Sequence, residues 1–413
     1  MATGSVVLSA MRGSNLDMVR RRNLSLVLGR VHELGAVSRA RLTKETGLNR
    51  STIAALVNEL VLLEHVIETD PDQAHQQVGR PSPVIVPSDR TVAVVVHPEM
   101  DSVEIGLVAL GGRVLRRVRF DTERVPSPRE AVNIAAAVID GMRGELDAFH
   151  TVGIGLVIPG LVRASNGVVA VAPHLGWRDE PVAEMLQDAT GYRVAAANDA
   201  SLGAIAESVR GVGRGVGQLV YLNGGASGIG GGIMSSGSPI GGASGFAGEI
   251  GHTLVRNDGD PCHCGSAGCL ETEVARAPLL EALDLAPHES ERLNDVLLEH
   301  LSHASADDPV RAIVNRQRKY LAVALGNVAN ILNPNLIVFG GFLQSLYAVD
   351  PVGLTAAVRA RTMSGPDRDV TLAQAGLGAS ILMVGAAELV FADLIADPAR
   401  SSGTPRASRT AAL

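Results

Sequence analysis

Three cysteines, Cys262, Cys264 and Cys269, lie within eight residues of one another, and the 413-residue chain contains no others. A histidine, His252, precedes the first of them by ten residues. Three thiolates and one imidazole make up the complete tetrahedral ligand set of a structural zinc site. The spacing therefore predicts a loop that binds Zn²⁺ through these four side chains and leaves no coordination position open for catalysis.

Other uses of this cluster are weaker. A disulfide would leave one cysteine over, and the spacing of the first two cysteines is awkward for a bridge between them. His263 competes with His252 for the fourth metal position, but it stands between two ligands that must converge. Glu249 and Glu271 bracket the cluster, so a metal that orders the loop also orders these carboxylates. The second nitrogen of a metal-bound imidazole remains able to contact another group.

The composition is that of a soluble α/β protein with two or three domains: 46% of the residues are hydrophobic, 46 are glycine, and 3% are aromatic. The net charge is −7, yet residues 1–63 hold nine Arg or Lys against four Asp or Glu. A basic segment on an acidic body is typical of a nucleic-acid module joined to another domain. We expect no signal peptide, and the most apolar window, 375–387, is too short to span a membrane. Free thiols with metal spacing then indicate a cytoplasmic protein that does not contact membranes.

The periodicity of the N-terminal region also predicts a nucleic-acid module. Residues 1–19 are interpreted as a flexible arm. Apolar residues then recur at helical spacing from Leu24 to Leu34. Ser38 caps a short helix over 39–46, and Asn49 caps a third helix. Helix, short helix, tight turn and longer helix form the layout of a helix-turn-helix.

Two short strands, Val66–Thr69 and Ser82–Val86, complete a winged helix-turn-helix domain over residues 20–87. Small and hydrogen-bonding side chains at the start of the third helix suit entry into the major groove of DNA. An arginine in the loop between the strands is placed for the minor groove or a phosphate. The alternative use of such a module is packing or dimerisation without DNA. The predicted DNA-contacting residues are Arg39, Asn49, Arg50, Ser51, Thr52 and Arg80.

The rest of the sequence predicts an α/β body over residues 88–396. Three β-strands, a helix near 129–148 and a buried strand are followed by a second succession of strands and helices after residue 198. This repeated plan is that of an actin-like fold with two lobes and a cleft between them. The lobe boundary is expected near 198, with the chain returning near 380, and residues 397–413 are expected to form a disordered tail.

Several motifs resemble those of the ROK family, which is named for repressors, uncharacterised reading frames and kinases. The matching segments are Glu249-x-Gly251-His252, Cys262-x-Cys264-Gly265-x-x-Gly268-Cys269-Leu270-Glu271, Asn198-Asp199-Ala200, the glycine-rich residues 228–232, and Ile337-Val338-Phe339-Gly340-Gly341. The resemblance covers about residues 90–395, and the N-terminal winged helix is similar to that of the repressor branch. It implies zinc ligation by His252, Cys262, Cys264 and Cys269. It also implies that sugar hydroxyls are bound by Asn198, Asp199, Glu249, His252 and Glu271.

The resemblance also bears on kinase activity, because Asp199 occupies the position of the general base in the kinase branch. The first phosphate loop of the family reads Asp-x-Gly-Gly-Thr, whereas this chain has His97-Pro98-Glu99-Met100-Asp101 there. Proline removes a backbone donor and the two carboxylates repel a triphosphate, so we expect no phosphoryl transfer. The glycine-rich segment 223–232 is interpreted as a hairpin, with room for a residual anion site that accepts a sugar phosphate.

We therefore expect a sequence-specific transcriptional regulator, and more specifically a repressor, of carbohydrate metabolism genes, with a sugar or sugar-phosphate effector. A homodimer or homotetramer would bind a palindromic operator through its N-terminal winged helix-turn-helix domains. One rival interpretation is a zinc-containing, ATP-dependent sugar kinase with an added DNA-binding domain. The other is a DNA-bound regulator that responds to a protein partner.

Overall fold

The computed structural model describes residues 4–69, 83–225, 228–363 and 370–399. Its N-terminal part forms a domain, here called the head, of three helices and a three-stranded sheet. The elements of the head are α1 (Gly4–Leu34), β1 (Val37–Ser38), α2 (Arg39–Thr46), α3 (Arg50–Leu62), β2 (Val66–Thr69) and β3 (Val84–Pro87). Strand β3 is central and pairs antiparallel with both β1 and β2. The three helices bury Leu24, Val27, Leu28, Val31, Leu42, Ile53, Leu56, Val57 and Leu60.

Local hydrogen bonds explain where the second and third helices begin and end. The Ser38 hydroxyl accepts from the backbone N–H of Arg41 at the start of α2, and Gly47 ends that helix in the left-handed region at φ 71°. The Asn49 side chain accepts from the N–H of Thr52 at the start of α3. The predicted range of α2 and the predicted start of α3 are confirmed.

The first helix is longer than the sequence predicted. Helix α1 begins at Gly4, so the expectation of a flexible arm is wrong for residues 4–19. No proline interrupts this stretch, and a helix that is already nucleated extends by one hydrogen bond for each residue it adds. The second wing strand includes Val84–Pro87, whereas its predicted start at Ser82 and the wing residue Arg80 lie outside the described residues.

A five-stranded sheet follows the head, with strand order β11-β7-β4-β5-β6. Strand β4 pairs parallel with β7 and antiparallel with β5. A small sheet, β10-β9-β8, which the sequence did not predict, follows β7 in the chain. The elements are β4 (Thr91–Pro98), β5 (Ser102–Ala109), β6 (Val114–Asp121), α4 (Pro128–Gly141), α5 (Arg143–Leu146), β7 (His150–Ile158), β8 (Leu161–Val162), β9 (Val169–Ala172), β10 (Trp177–Glu180), α6 (Val182–Thr190) and β11 (Val194–Asn198).

A second five-stranded sheet has the order β14-β13-β12-β15-β16, in which β12 pairs antiparallel with β13 and parallel with β15. Both large sheets therefore extend an antiparallel hairpin by parallel strands, which confirms the repeated plan. The elements are α7 (Asp199–Val209), β12 (Gln218–Gly224), β13 (Ile229–Ser235), β14 (Ser238–Pro239), α8 (Leu270–Glu273), α9 (Ala277–Ala282), α10 (Leu293–His303), α11 (Pro309–Leu332), β15 (Leu336–Gly341), α12 (Leu343–Val349), α13 (Pro351–Arg359), β16 (Thr371–Gln374) and α14 (Ile381–Ala396).

The chain divides into two compact units. The first comprises Met1–Leu156, Pro181–Ala196 and Ala386–Leu413, and the second comprises Val157–Glu180 and Ala197–Gly385. The head and the first large sheet thus belong to the same unit. The sequence-based division at residues 87, 198 and 380 remains a prediction of how the domains are organised.

Within the first unit, the part of α14 from Ala386 onwards packs against both the sheet and the head. A Cβ at Gly155 of β7 would lie 2.3 Å from the carbonyl oxygen of Ala386, so the two backbones are in direct contact. On the head side, Nε2 of the buried His32 lies 2.6 Å from Oε2 of the buried Glu388. The apolar stretch Gly378–Ala396 has 19 residues and a mean hydropathy of 1.9, long enough to cross a membrane by length and composition, which corrects the shorter window read from the sequence. Half of it is buried in the protein, and these contacts are those of a core helix.

The beginning of the predicted tail contacts the head. Oδ2 of Asp397 lies 3.5 Å from Nη1 of Arg21, and the carbonyl oxygen of Pro398 lies 3.1 Å from Nε2 of His65. Disorder was therefore the wrong expectation for these two residues, while residues 400–413 lie outside the described part of the chain.

Candidate metal and sugar site

The metal loop, residues 249–273, brings the four predicted ligands together. His252 ends a short 3₁₀ helix, and Cys269 immediately precedes α8. Between them the chain turns at Gly265 (φ 92°) and Gly268 (φ 72°), where the left-handed backbone favours glycine. The ligand atoms of the four side chains all lie within 4.8 Å of one another: His252, Cys262, Cys264 and Cys269.

The distances between ligand atoms fit a tetrahedral metal ion. The Sγ atoms of Cys264 and Cys269 are 3.7 Å apart, and Sγ of Cys262 lies 3.5 Å from Nδ1 of His252. With zinc–sulfur bonds of about 2.3 Å, the edge of a regular tetrahedron is about 3.8 Å. A disulfide would need sulfurs about 2.0 Å apart, and all three cysteines are free. The donor set and its spacing therefore fit a structural metal site.

The thiols of the site differ in how readily they ionise. Burial raises the pKa of Cys262 and of Cys269 above the ordinary thiol value. A hydrogen bond from the backbone N–H of Ser266 lowers the pKa of Cys264. Because zinc binds the thiolate form, metal binding must displace protons from the two buried thiols, and the affinity of the site falls as the pH falls.

His263, the competing ligand, is directed towards a carboxylate. Its Nδ1 lies 3.1 Å from Oε1 of Glu271 and 4.0 Å from Sγ of Cys262. Nδ1 of His252 lies 3.5 Å from the same carboxylate oxygen. A second possible metal group, made of His252, His263 and Glu271, therefore shares His252 with the first. Only the first of these two groups uses all three cysteines, and it is the group that the sequence predicts.

A cavity of about 620 Å³ lies beside the metal loop, and every residue that lines it belongs to the second unit. This volume is within the range of small-molecule sites. The structure brings all five predicted sugar-binding residues to this one cavity: Asn198, Asp199, Glu249, His252 and Glu271.

Asn198 and Asp199 lie at the junction of β11 and α7. Oδ1 of Asn198 accepts from the N–H groups of Ala200 and Ser201, at 2.9 and 3.1 Å, and so caps α7. Its Nδ2 donates to the carbonyl oxygen of Gly160 at 3.0 Å, which leaves one amide N–H for a ligand. Asp199 is the first residue of α7, so the helix dipole stabilises its negative charge. Asn198 therefore has a structural role as well as a place in the cavity.

Three carboxylates line the cavity, those of Asp199, Glu249 and Glu271. The pKa of one of them, Glu249, is raised. Burial raises the pKa of Glu249, and the negative charges of Asp199 and Glu271 raise it further, against the opposing effect of His252. Nε2 of His252 lies 3.8 Å from Oε2 of Glu249. A carboxyl group with a raised pKa can donate to a hydroxyl as well as accept from one.

One wall of the cavity was not predicted from the sequence. His174, Gly176, Trp177 and Arg178 line this wall, which belongs to β10 and the turn before it. Trp177 is the only tryptophan of the chain, and that rarity was the one available signal. The other three residues form no motif, and they reach the cavity through the small sheet that the sequence did not predict.

The two hairpin turns that the sequence compared with the phosphate loops of the kinase branch differ in chemistry. In the turn between β4 and β5, Glu99 and Asp101 accept from Arg119 of β6 at 3.3 and 3.0 Å. The N–H of Glu99 donates to the carbonyl of Ser102. This turn therefore carries two carboxylates bound to an arginine, and the backbone N–H of Glu99 is already used within the turn. The turn between β12 and β13 is glycine-rich, and its residues 226–227 lie outside the described part of the chain.

Three of the predicted DNA-contacting side chains, those of Arg39, Asn49 and Ser51, are engaged within the head. Arg39 donates to Oε1 of Glu68 at 2.7 Å and to Oδ1 of Asn58 at 3.0 Å. Oδ1 of Asn49 caps α3 and also accepts from the hydroxyl of Ser51 at 2.7 Å. These bonds hold the head in shape, so any contact with DNA would compete with them.

Arg50 has a different setting. It is exposed on the first turn of α3, and its side chain makes no hydrogen bond or ion pair within the part of the chain that the structure describes. Ser51 and Thr52 line a groove between α1 and α3. Among the predicted residues that are described, Arg50 is the one most available to an external partner.

The two mixed sheets and the cavity beside the metal loop define a protein with the actin-like fold of the sugar kinases. The chain belongs to the ROK family, whose model matches residues 100–393. The crystal structure of a ROK family transcriptional regulator, a homologue of the Escherichia coli Mlc protein, has the same fold with a TM-score of 0.73. It is 23% identical in sequence and covers 92% of this chain and 97% of its own.

Two named relatives differ in how much of the chain they match. The xylose repressor of Bacillus subtilis is 26% identical over 382 residues, which cover 91% of this chain and 97% of the repressor. The glucokinase of Halalkalibacterium halodurans is 35% identical over 229 residues, which cover 50% of this chain and 68% of the enzyme. The repressor thus matches nearly the whole chain, whereas the enzyme matches half of it.

Proposed function

We propose that this protein is a cytoplasmic, sugar-responsive transcriptional repressor of carbohydrate metabolism genes. The observation that carries the proposal is the extent of the match to the xylose repressor, which at 91% of the chain must include much of the head. The glucokinase match, by contrast, covers half of the chain. The exposed Arg50 on α3 and the sugar-sized cavity in the second unit support the same function.

The metal of the proposal is Zn²⁺, held by the ligand set His252, Cys262, Cys264 and Cys269. When bound, zinc supplies a fixed tetrahedral centre and no reactive position. The chain itself contributes the turns at Gly265 and Gly268 that let the ligands converge. With Nδ1 of His252 facing the sulfurs, its Nε2 remains for a hydroxyl of the effector.

The effector is a sugar bound by hydroxyl contacts in the cavity. Asp199, Glu249 and Glu271 supply carboxylate oxygens that accept from hydroxyl groups, and Asn198 supplies its remaining amide N–H. Against these three carboxylates the cavity wall contributes one arginine, Arg178. This balance of charge favours a free sugar over a sugar phosphate.

DNA binding is assigned to the head as a winged helix-turn-helix. The start of α3, with Arg50, Ser51 and Thr52, enters the major groove, and Arg80 of the wing contacts the minor groove or a phosphate. Two heads of a homodimer, or of a dimer within a tetramer, read the halves of a palindromic operator. Sugar binding favours one arrangement of the protein over another and so changes operator affinity.

Selection of genomic fragments by the purified protein tests the proposal. We expect a small set of palindromic sites beside carbohydrate genes. Adding the sugar that raises the melting temperature most, from a panel of free sugars and their phosphates, should release the bound fragments. Fragments retained without sequence preference, or unaffected by every sugar that stabilises the protein, would contradict the repressor assignment.

A sugar kinase is the second candidate, and the presence of Asn198-Asp199 together with the 35% identity to a glucokinase favours it. The acidic turn at Glu99 and Asp101 opposes it. A coupled assay with ATP, Mg²⁺ and a panel of hexoses should show no turnover above a control lacking protein. Turnover that disappears in Asp199→Asn would instead establish an enzyme, because that change removes the general base.

A further inference from the structure

Glu273, the last residue of α8, is a buried carboxylate that belongs to neither the ligand set nor the cavity wall. Its side chain is 0% exposed. Oε2 accepts from Nη2 of Arg316 at 2.6 Å and from Nη1 of Arg256 at 3.4 Å. Oε1 accepts from the backbone N–H of Asp260 at 3.1 Å. One carboxylate thus receives two donors from elsewhere in the metal loop, Arg256 and Asp260, and a third from Arg316 of helix α11.

The contact with Asp260 lies at the point where the two arms of the metal loop meet. Asp260 is two residues before Cys262, and its carbonyl oxygen accepts from the N–H of Gly268 at 2.9 Å. Gly268 in turn directly precedes Cys269. The position of Asp260 therefore relates the arm that holds Cys262 and Cys264 to the arm that holds Cys269.

The two arms pass so close to each other and to the carboxylate that neither Gly259 nor Gly268 has room for a side chain. A Cβ at Gly259 would lie 2.4 Å from Oε1 of Glu273 and 2.3 Å from Cα of Gly268. A Cβ at Gly268 would lie 1.8 Å from the carbonyl oxygen of Arg256. The backbones of the two arms thus pack against each other next to Glu273. The hydrogen bond from Arg316 connects this packed region to α11.

We propose that Glu273 is a positioning residue. It holds the metal ligands in a tetrahedral arrangement, both before the ion binds and after it has bound. The inference rests on the proposal that the loop binds zinc. A ligand set that is already arranged loses less conformational freedom on binding, and outer residues that orient metal ligands commonly change metal affinity by about 10- to 100-fold. The carboxylate acts through the loop backbone and does not touch the ion.

The test is the rate of zinc release from the full chain into excess 4-(2-pyridylazo)resorcinol. Glu273→Gln keeps the shape of the side chain and removes its charge, and we expect release to be faster by about 10-fold or more. Glu281→Gln on α9 is the matched control, because Glu281 is exposed, and it should release zinc at the wild-type rate. Arg316→Gln keeps the carboxylate and removes one of the two arginines bound to it, so it should accelerate zinc release less. If Glu273→Gln does not fold, Arg316→Gln is the variant that tests the proposal.

Global unfolding is measured in parallel through the fluorescence of the single tryptophan, Trp177. Faster zinc release at an unchanged unfolding rate supports a positioning role. Release that merely follows unfolding, or equal release from Glu273→Gln, Arg316→Gln and wild type, would overturn it. Wild-type protein that holds no zinc would overturn the metal site itself, which distinguishes failure of the proposed function from failure of this inference.

Discussion

The metal loop and the head use polar side chains in opposite ways. In the loop, four ligand atoms lie within 4.8 Å of one another, so each ligand is defined by the other three. In the head, Arg39 is bound to Glu68 and Asn58, whereas Arg50 is exposed and its side chain has no hydrogen bond or ion pair among the described residues. A site that closes on one ion should collapse when one ligand is removed. On a surface that binds DNA, the binding free energy is divided among many contacts. Each single substitution there should therefore remove only a part of it.

The strongest test of this contrast is removal of one ligand, by Cys262→Ser. We expect the metal content to fall from about one zinc per chain to about none, because a hydroxyl does not replace a thiolate in such a site. Elemental analysis of the purified protein measures the change. Ser266→Ala, in the same loop but outside the ligand set, should keep its zinc. A zinc-free Cys262→Ser protein that still repressed and still responded to sugar would break the proposed link between the loop and regulation.

A second test concerns the base of the head, where the side chain of His65 is buried with Nδ1 3.1 Å from Oγ1 of Thr91. Burial lowers the pKa of His65 from 6.5 to about 4. Because the folded pKa lies below the unfolded one, the unfolded chain binds more protons between these values. The contribution of the neutral His65 side chain to the free energy of unfolding is therefore lost as the pH falls from 6.5 towards 4. The loss amounts to up to about 3 kcal/mol.

Urea unfolding between pH 4.5 and 7 measures this loss. In His65→Gln the dependence on pH should be flatter, although the protein is less stable at neutral pH. His288→Gln, at an exposed position of the second unit, should keep the wild-type profile. An unchanged slope in His65→Gln would show that the head is not held by a neutral buried histidine.

A third test asks whether the head is held on α14 by a single buried pair. Glu388→Ala removes the carboxylate whose oxygen lies 2.6 Å from Nε2 of His32, and we expect a loss of about 2 kcal/mol in the free energy of unfolding. Asp393→Ala on the same helix breaks only the exposed pair with Arg193, and should cost less than about 0.5 kcal/mol. Equal losses in denaturant titrations would remove the distinction between the two pairs.

The smallest effects are expected at the DNA surface. Arg50→Ala should weaken operator binding about tenfold and reduce the slope of log affinity against log salt by about one if Arg50 meets a phosphate. Arg39→Ala should weaken binding less, because its guanidinium is already bound within the head. Fluorescence anisotropy with a labelled operator at several salt concentrations gives both values. A larger effect for Arg39 would reverse the assignment of the two arginines.

Short-range patterns predicted the parts of this protein that local chemistry decides. Ser38 and Asn49 predicted the starts of α2 and α3, because a capping side chain bonds a backbone group two or three residues away. The cysteine spacing predicted which side chains converge. The extension of α1 to Gly4 was missed because the stretch carried neither a clear apolar period nor a stop signal. Arg178 was missed because no motif surrounds it.

The sequence by itself determined which side chains converge in the metal loop, which faces of the head helices are apolar, and that the turn between β4 and β5 is acidic. In each case the residues that interact, or the pattern they form, lie close together along the chain. Only the tertiary structure decided that Glu273 meets Arg316 and that His32 meets Glu388, across 43 and 356 positions of sequence. Pairs so distant leave no local signal, since it is the packing of separate elements that creates their burial and hence their need for each other.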